Sequence, residues 1–257
     1  LKVKIEQAFM NAEISGSGPA LVLLHSLLAD KGSFDRILDP LGRDFQVILL
    51  DLPGFGDSTP MTGGLAEIAD RIAATIPELI PGERPIILGN GFGAFITLQL
   101  AIRHPGIASR LVLADCGVRF SEAGRQAFLT MATVAREKGL GAIVETAMRR
   151  LFSVEFQGEN PLLMEERRSA FLRTDMATFQ AACHALARLD LRNEIGRVKA
   201  PVLVLVGEND EATPPPMAVE LNSLLPDSRL TILPRCAHVP QLQDPRAFLD
   251  AIAPFLG

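Results

Sequence analysis

The 257-residue sequence predicts an α/β fold: a mostly parallel central sheet with helices on both faces, interrupted by a helical insertion. Three observations carry this. Short apolar runs of β type recur along the chain, stretches with helical periodicity lie between them, and the alternation lapses between Val118 and Arg197.

The apolar runs are Ala20 to His25, Phe45 to Leu50, Pro85 to Leu88, Arg110 to Ala114, Val202 to Val206 and Arg229 to Leu233. Each is too short for a helix and reads as a buried strand. The N-terminal Leu1 to Glu6 alternates like a further strand. Amphipathic stretches such as Leu65 to Ile80 and Phe92 to Arg103 read as connecting helices, the second stopped by His104-Pro105. Within 118–197, Phe128, Met131, Val134 and Ala135, then Phe171, Leu172, Met176 and Phe179, recur at helical spacing. The expected organisation is a core of residues 1–117 and 198–257 with a helical cap at 118–197, whose apolar side packs on the core, roofs a pocket, or does both.

Composition narrows the function. A hydrophobic fraction of 48% and a charged fraction of 21% suit one globular domain with an insertion. No apolar run reaches the roughly 18 residues of a membrane span. A net charge of −5 without a Lys/Arg run argues against nucleic acid and for a small-molecule partner. Cys116, Cys183 and Cys236 are odd in number and widely spaced, which suits reduced, cytoplasmic packing residues. There is no H-x-H, H-E-x-x-H or C-x-x-C spacing and no dinucleotide fingerprint, so no metal and no cofactor is expected. Oligomeric state cannot be read from the sequence.

The stretch Ile86-Ile87-Leu88-Gly89-Asn90-Gly91-Phe92-Gly93-Ala94-Phe95 runs from a buried strand through glycines into a helix. It has the outline of the nucleophile elbow G-x-S-x-G, a sharp strand-to-helix turn that lifts its central residue above the sheet. Gly89 and Gly93 let such a turn close, and the Phe92 N–H at the helix start can face a developing oxyanion. By itself the stretch also fits an ordinary tight turn or a phosphate cradle. Three other segments follow strands in chain order: His25-Ser26-Leu27-Leu28, Asp51-Leu52-Pro53-Gly54-Phe55-Gly56-Asp57-Ser58, and the pair Val206-Gly207-Glu208-Asn209-Asp210 and Cys236-Ala237-His238.

Together these segments resemble the α/β-hydrolase superfamily from Gly16 to Leu256. Gly89-Asn90-Gly91-Phe92-Gly93 is similar to the G-N-S-F-G of hydrolases that cleave carbon-carbon bonds in ring-fission products. Ser26-Leu27 instead resembles the S-L of 3-oxoadipate enol-lactonase-type enzymes. The resemblance implies a triad base at His238, its acid at Asp210, oxyanion donors at the N–H groups of Leu27 and Phe92, and a nucleophile position at Gly91. It makes the Asp51 to Ser58 loop structural. Three departures matter: Ser26 where glycine is usual, Gln243 where glutamate often follows the histidine, and Gly91 where an acyl-enzyme needs serine.

His238 would act as general base with Asp210 fixing its tautomer, while Asp115, also at a strand end, is the alternative acid. His25 is expected to brace the oxyanion turn. His104 at a helix end is structural by default, and His184 in the insertion is a minor pocket candidate. Glycine at 91 is expected to eliminate the covalent route entirely. Three readings follow. The chain is an enzyme with no serine nucleophile that acts without a covalent intermediate on a small ester, lactone or β-diketone-type carbonyl, His238 activating a water or moving a substrate proton; a serine hydrolase inactivated by a Ser-to-Gly substitution at 91; or a small-molecule binding protein that keeps only the pocket.

Overall fold

The computed structural model of the chain describes residues 1–5, 8–61 and 63–257. Its elements in chain order are β1 (Lys2–Ile5), β2 (Ala8–Ser15), β3 (Ala20–Leu24), α1 (Asp35–Leu41), β4 (Gln46–Leu50), α2 (Leu65–Leu79), β5 (Ile86–Asn90), α3 (Phe92–Arg103) and β6 (Arg110–Ala114). Five helices follow: α4 (Glu122–Lys138), α5 (Val144–Leu151), α6 (Val154–Glu159), α7 (Pro161–Leu172) and α8 (Met176–Ala187). The chain then returns through β7 (Val202–Gly207), α9 (Pro215–Leu224), β8 (Ser228–Leu233), α10 (Pro240–Gln243) and α11 (Pro245–Leu256).

The strands form one sheet in the order β1-β2-β4-β3-β5-β6-β7-β8. β1 and β2 are antiparallel to each other, β2 is antiparallel to β4, and the pairs from β4 to β8 are parallel. Pleating sends alternate residues of β3 to opposite cores. Val22 and Leu24 pack with the cluster holding Ile72 of α2 and Leu98 of α3, whereas Leu21 and Leu23 pack with Ile37 of α1 and Phe248 and Ile252 of α11. All five residues of β3 are therefore buried, which explains its unbroken apolar sequence.

All six apolar runs form strands, with ends shifted by no more than a residue or two, but β8 is not the buried strand expected: at the sheet edge, only its Leu233 is buried. The N-terminal run forms β1, although Glu6 lies outside the described residues. β2 was not anticipated. Ala8, Met10 and Ala12 are buried while Phe9 and Ile14 are exposed, so apolar residues lie on both sides of the burial boundary and no apolar-polar alternation marks the strand.

Between β6 and β7 the regular elements are helical, as the sequence predicts, with one isolated bridge joining Arg119 and Asp190. That bridge and the Leu191 N–H to Val118 O bond of 2.9 Å hold the ends of the segment together. One expectation needs correcting: Phe171, Leu172, Met176 and Phe179 do not share a helix. α7 ends at Leu172, and Asp175 restarts the chain by accepting the Thr178 N–H at 2.8 Å as the N-cap of α8. Leu172 is half exposed, while Phe171 and Phe179 meet edge-to-face across the corner. The segment is pinned to the sheet domain by Arg167 of α7, whose Nη1 donates to Asp30 Oδ1 at 2.8 Å, and by the Asp175 N–H donating to Gly54 O at 3.1 Å.

Candidate active site

β3, β5, β7 and β8 each end in a loop on the same edge of the sheet, and these loops carry Ser26, Gly91, Asp210 and His238. Ligands collect at the carboxyl ends of parallel strands because the chain splays there into helices and loops. Ser26, Gly91 and His238 come together with Leu27 and Phe92 around a cavity of about 30 Å³, with Phe120, Phe128, Arg150 and Leu186 of the insertion lining its other side and Asp210 held against His238 Nδ1 outside it. That volume accommodates a water molecule or two and no larger ligand. A larger hollow, about 710 Å³, lies at the opposite ends of the strands, near Pro19, Arg84 and Arg110, away from these groups.

Gly91 has φ 53° and ψ −116°, a backbone state that strains any residue with a side chain. The turn is tight because α3 begins directly beneath the end of β3, where the Gly93 N–H donates to His25 O at 3.0 Å and a Cβ at 93 would strike the Leu24 carbonyl. The elbow conformation thus persists with glycine at its apex. The Phe92 N–H at the start of α3 donates to no protein acceptor among the described residues, and the same holds for the Leu27 N–H. Both remain free to meet an anion.

His238 Nδ1 lies 2.8 Å from Asp210 Oδ2. The other contacts of that carboxylate are donors: the N–H groups of Ala212 and Thr213 to Oδ1 at 2.7 and 3.0 Å, and the Thr213 hydroxyl to Oδ2 at 2.6 Å. A carboxylate only accepts, so His238 carries its hydrogen on Nδ1 and offers the lone pair of Nε2. Nε2 faces Gly91 and Ser26. A Cβ built at 91 would sit 2.7 Å from it, and Ser26 Oγ lies 3.5 Å away. Burial by itself would raise the Asp210 carboxyl, but the charge and hydrogen bond of His238 and the Thr213 donors outweigh it and hold the group below its ordinary value.

Asp115 does not bond the histidine ring. Its Oδ1 accepts the Gly207 N–H at 2.9 Å and its Oδ2 accepts from Asn90 Nδ2, also at 2.9 Å, while the same Asn90 amide donates to His238 O at 3.0 Å. Burial, followed by the charge of Asp210, pushes Asp115 well above the ordinary carboxylate range. A folded-state pKa above the unfolded one means that the native state holds a proton the unfolded chain loses, so stability falls as pH rises above about 4. The slope contributed reaches at most ~1.4 kcal/mol per pH unit until Asp115 ionises. Asp115→Asn is expected to flatten this part of the stability curve, measured by urea unfolding between pH 5 and 8. An unchanged slope would exclude Asp115 as a proton-holding group.

The remaining sequence candidates fall into place around this centre. His25 is buried beside Phe55; Leu52 N–H donates to its Nε2 at 3.1 Å, so its Nδ1–H donates to Ser26 O at 2.9 Å and braces the turn that carries Leu27. Burial lowers its pKa, in keeping with a neutral ring. In the Asp51 to Ser58 loop, Ser58 Oγ donates to Asp51 O at 2.6 Å and accepts the Asn11 N–H at 2.9 Å, tying the loop to β2. Gln243 accepts the Ala237 N–H at 2.9 Å and donates to Arg235 O at 3.0 Å, which fixes the loop before His238. His104 Nε2 is 2.7 Å from Asp70 Oδ1 at the end of α3, and His184 is exposed on α8, outside the cavity. The three cysteines are free and buried, and burial raises the Cys183 thiol to about 12 and Cys236 to about 11.

Arg150 of α5 was not anticipated. Its guanidinium lies 5.4 Å from the Phe128 ring centroid and borders both the inner cavity and an outer hollow of about 490 Å³ that Asp210 and Ala237 also line. Its buried Nε has no acceptor among the described residues. The sequence held no sign of it, because Arg149 and Arg150 are adjacent and only the helix phase turns one of them inward. For a metal, the described residues offer one grouping, Asp115, Asp210 and His238, whose ligand atoms lie within 4.8 Å of one another. The N–H and O–H donors already aimed at those carboxylates oppose a cation there.

Such a sheet, with a histidine–aspartate pair over an elbow at the strand ends, defines an α/β-hydrolase fold. The chain belongs to the alpha/beta hydrolase family, whose profile matches residues 21–251. It is 29% identical to the pimeloyl-[acyl-carrier protein] methyl ester esterase of Nitrosomonas europaea over 259 residues, covering 95% of this chain and 98% of that one. It is 27% identical to 3-oxoadipate enol-lactonase 2 of Acinetobacter baylyi over 237 residues, covering 91% and 87%. Among solved structures, the enol-lactonase from Burkholderia xenovorans LB400 superposes with a TM-score of 0.93 at 24% identity, covering 100% and 99% of the two chains. These relatives are hydrolases of esters and lactones. No helix among the described residues is long and apolar enough to cross a membrane.

Proposed function

We propose that the chain hydrolyses a small ester or lactone, with His238 as general base, Asp210 as its partner, and the Leu27 and Phe92 N–H groups as oxyanion donors, without a serine at 91. One observation carries the reading. A buried histidine whose Nδ1 is held 2.8 Å from a carboxylate points its other nitrogen at the elbow apex, where a substrate carbonyl would lie. Similarity to an ester hydrolase and an enol-lactonase supports this substrate class over a β-diketone. Free, buried thiols suit the reduced cytoplasm. In this reading 118–197 is a cap over the core, and a cavity of about 30 Å³ must widen before it can hold a substrate. The test is turnover of a panel of short-chain aryl esters, methyl esters and lactones; no acid released from any of them over hours would overturn the proposal and favour a binding protein.

Arg150 extends the reading to an anionic group on the substrate. A half-buried arginine whose buried Nε has no partner among the described residues costs desolvation energy that a carboxylate recovers through charge-assisted hydrogen bonds. Arg150→Gln is therefore expected to raise KM for a carboxylate-bearing ester by roughly 10- to 100-fold, corresponding to a charged hydrogen bond of about 1.5–3 kcal/mol, and to leave a neutral ester nearly unaffected. Equal effects on both esters would remove Arg150 from substrate recognition.

A further inference from the structure

Gly91 removes the usual nucleophile, yet a hydroxyl still faces the base. We propose that Ser26 Oγ is the attacking nucleophile of this chain, an assignment that rests on the ester or lactone reading above. Ser26 is buried on the turn after β3, and among the described residues its hydroxyl has one hydrogen-bonding partner, His238 Nε2, at 3.5 Å. That distance is long for a ground-state hydrogen bond, but nucleophile-to-base contacts often shorten only when substrate is bound.

The position of the hydroxyl is informative. A Cβ at 91 would lie 2.5 Å from Ser26 Oγ and 3.0 Å from Ser26 Cβ, so Ser26 fills the space that a side chain at the elbow apex would need. Glycine at 91 and serine at 26 are complementary: one withdraws a side chain from the base and the other supplies a hydroxyl to it. The oxyanion donors keep their relation to the new nucleophile. With a serine at 91, the Phe92 N–H follows the nucleophile in the chain and the Leu27 N–H comes from the opposite loop. With Ser26, the Leu27 N–H follows the nucleophile and the Phe92 N–H comes from opposite. The turn is held rigid, because Ser26 O accepts from His25 Nδ1 at 2.9 Å and from the Ala29 N–H at 3.3 Å.

The chemistry balances without any added reagent. Ser26 Oγ passes its proton to His238 Nε2 and bonds to the acyl carbon. The carbon–oxygen bond to the leaving alcohol then breaks, and that oxygen takes the proton from His238. Water, deprotonated by His238, attacks the acyl-Ser26 ester. The acid departs as Ser26 Oγ recovers its proton.

The experiment treats the full-length protein with a fluorophosphonate and maps the adduct by peptide mass, alongside steady-state and burst kinetics on 4-nitrophenyl acetate for the native chain, Ser26→Ala and His238→Ala. The expected result is a label on Ser26, a burst in the native chain, and a loss of about 10³-fold or more in kcat/KM with Ser26→Ala. Labelling of the native chain needs no variant to fold. If Ser26→Ala stays within ~10-fold of native while His238→Ala is inactive, water attacks directly, and the nucleophile assignment falls while the hydrolase reading stands. A label on Ser26 without turnover of any ester supports the nucleophile and overturns the substrate reading. With neither label nor turnover, both fall.

Discussion

His238→Ala is expected to lower kcat/KM on the best ester or lactone by about 10³-fold or more while the protein stays folded. The loss follows from geometry that does not depend on which atom attacks. Whether the nucleophile is the Ser26 hydroxyl or a water, its proton has one acceptor aligned with it, Nε2, because Asp210 holds Nδ1 in the protonated tautomer. Removing the imidazole leaves the oxyanion donors in place, so residual rate above water should persist. The structural cost is limited, since Asp210 keeps its bonds from Ala212 and Thr213, and the Asn90 amide bonds the backbone of residue 238 and not its ring. A loss of roughly 1–3 kcal/mol of stability is expected, readable by urea unfolding. Turnover within ~10-fold of native would exclude His238 as the base. High ligand affinity with no product, altered only in strength by the substitution, would make the chain a binding protein.

The sheet was legible because buried parallel strands leave a direct trace. Val22, Leu24, Leu21 and Leu23 serve two cores at once, and no polar residue can be tolerated among them. β2 escaped notice because an edge-side antiparallel strand with Ala8, Ala12 and Asn11 carries neither a continuous apolar run nor a regular alternation. The corner between α7 and α8 escaped because helical spacing continues across it, and only the side chain of Asp175 marks the break. At the site, the residues of recognisable motifs, Gly91, Phe92, Leu27, Asp210 and His238, come together as their order along the chain implied. Which carboxylate meets the histidine depends on direction. Asp115 and Asp210 both end strands, and spacing cannot show that Asn90 and Gly207 turn one carboxylate away from the ring while Thr213 and Ala212 steer the other toward it. Arg150 and the Ser26 hydroxyl were hidden for a related reason: their importance lies in what they face across the cavity, from elements distant in sequence.

Restoring a serine to the elbow is expected to work only when position 26 is changed as well. Gly91→Ser alone places a Cβ 2.5 Å from Ser26 Oγ in a backbone state, φ 53°, that is strained for any side chain, so it should destabilise the fold by about 1–3 kcal/mol. The hydroxyls at 26 and 91 would then compete for one nitrogen, and the Ser26 side chain must rotate away before an adduct can form at 91. Gly91→Ser combined with Ser26→Gly removes that contact and leaves the backbone strain and a 2.7 Å approach of the new Cβ to His238 Nε2, which the imidazole must shift to accommodate, with Nε2, the Leu27 N–H and the Phe92 N–H all retained. The double variant should recover part of the lost stability, show a burst with an aryl ester, and carry a fluorophosphonate adduct on residue 91 in place of residue 26. Residues 26 and 91 touch, so the two substitutions should be non-additive in both stability and rate. Additive effects would mean that the two positions do not share the space beside His238. A double variant that folds but forms no adduct at 91 would show that this elbow and these donors do not make an acyl-transfer site.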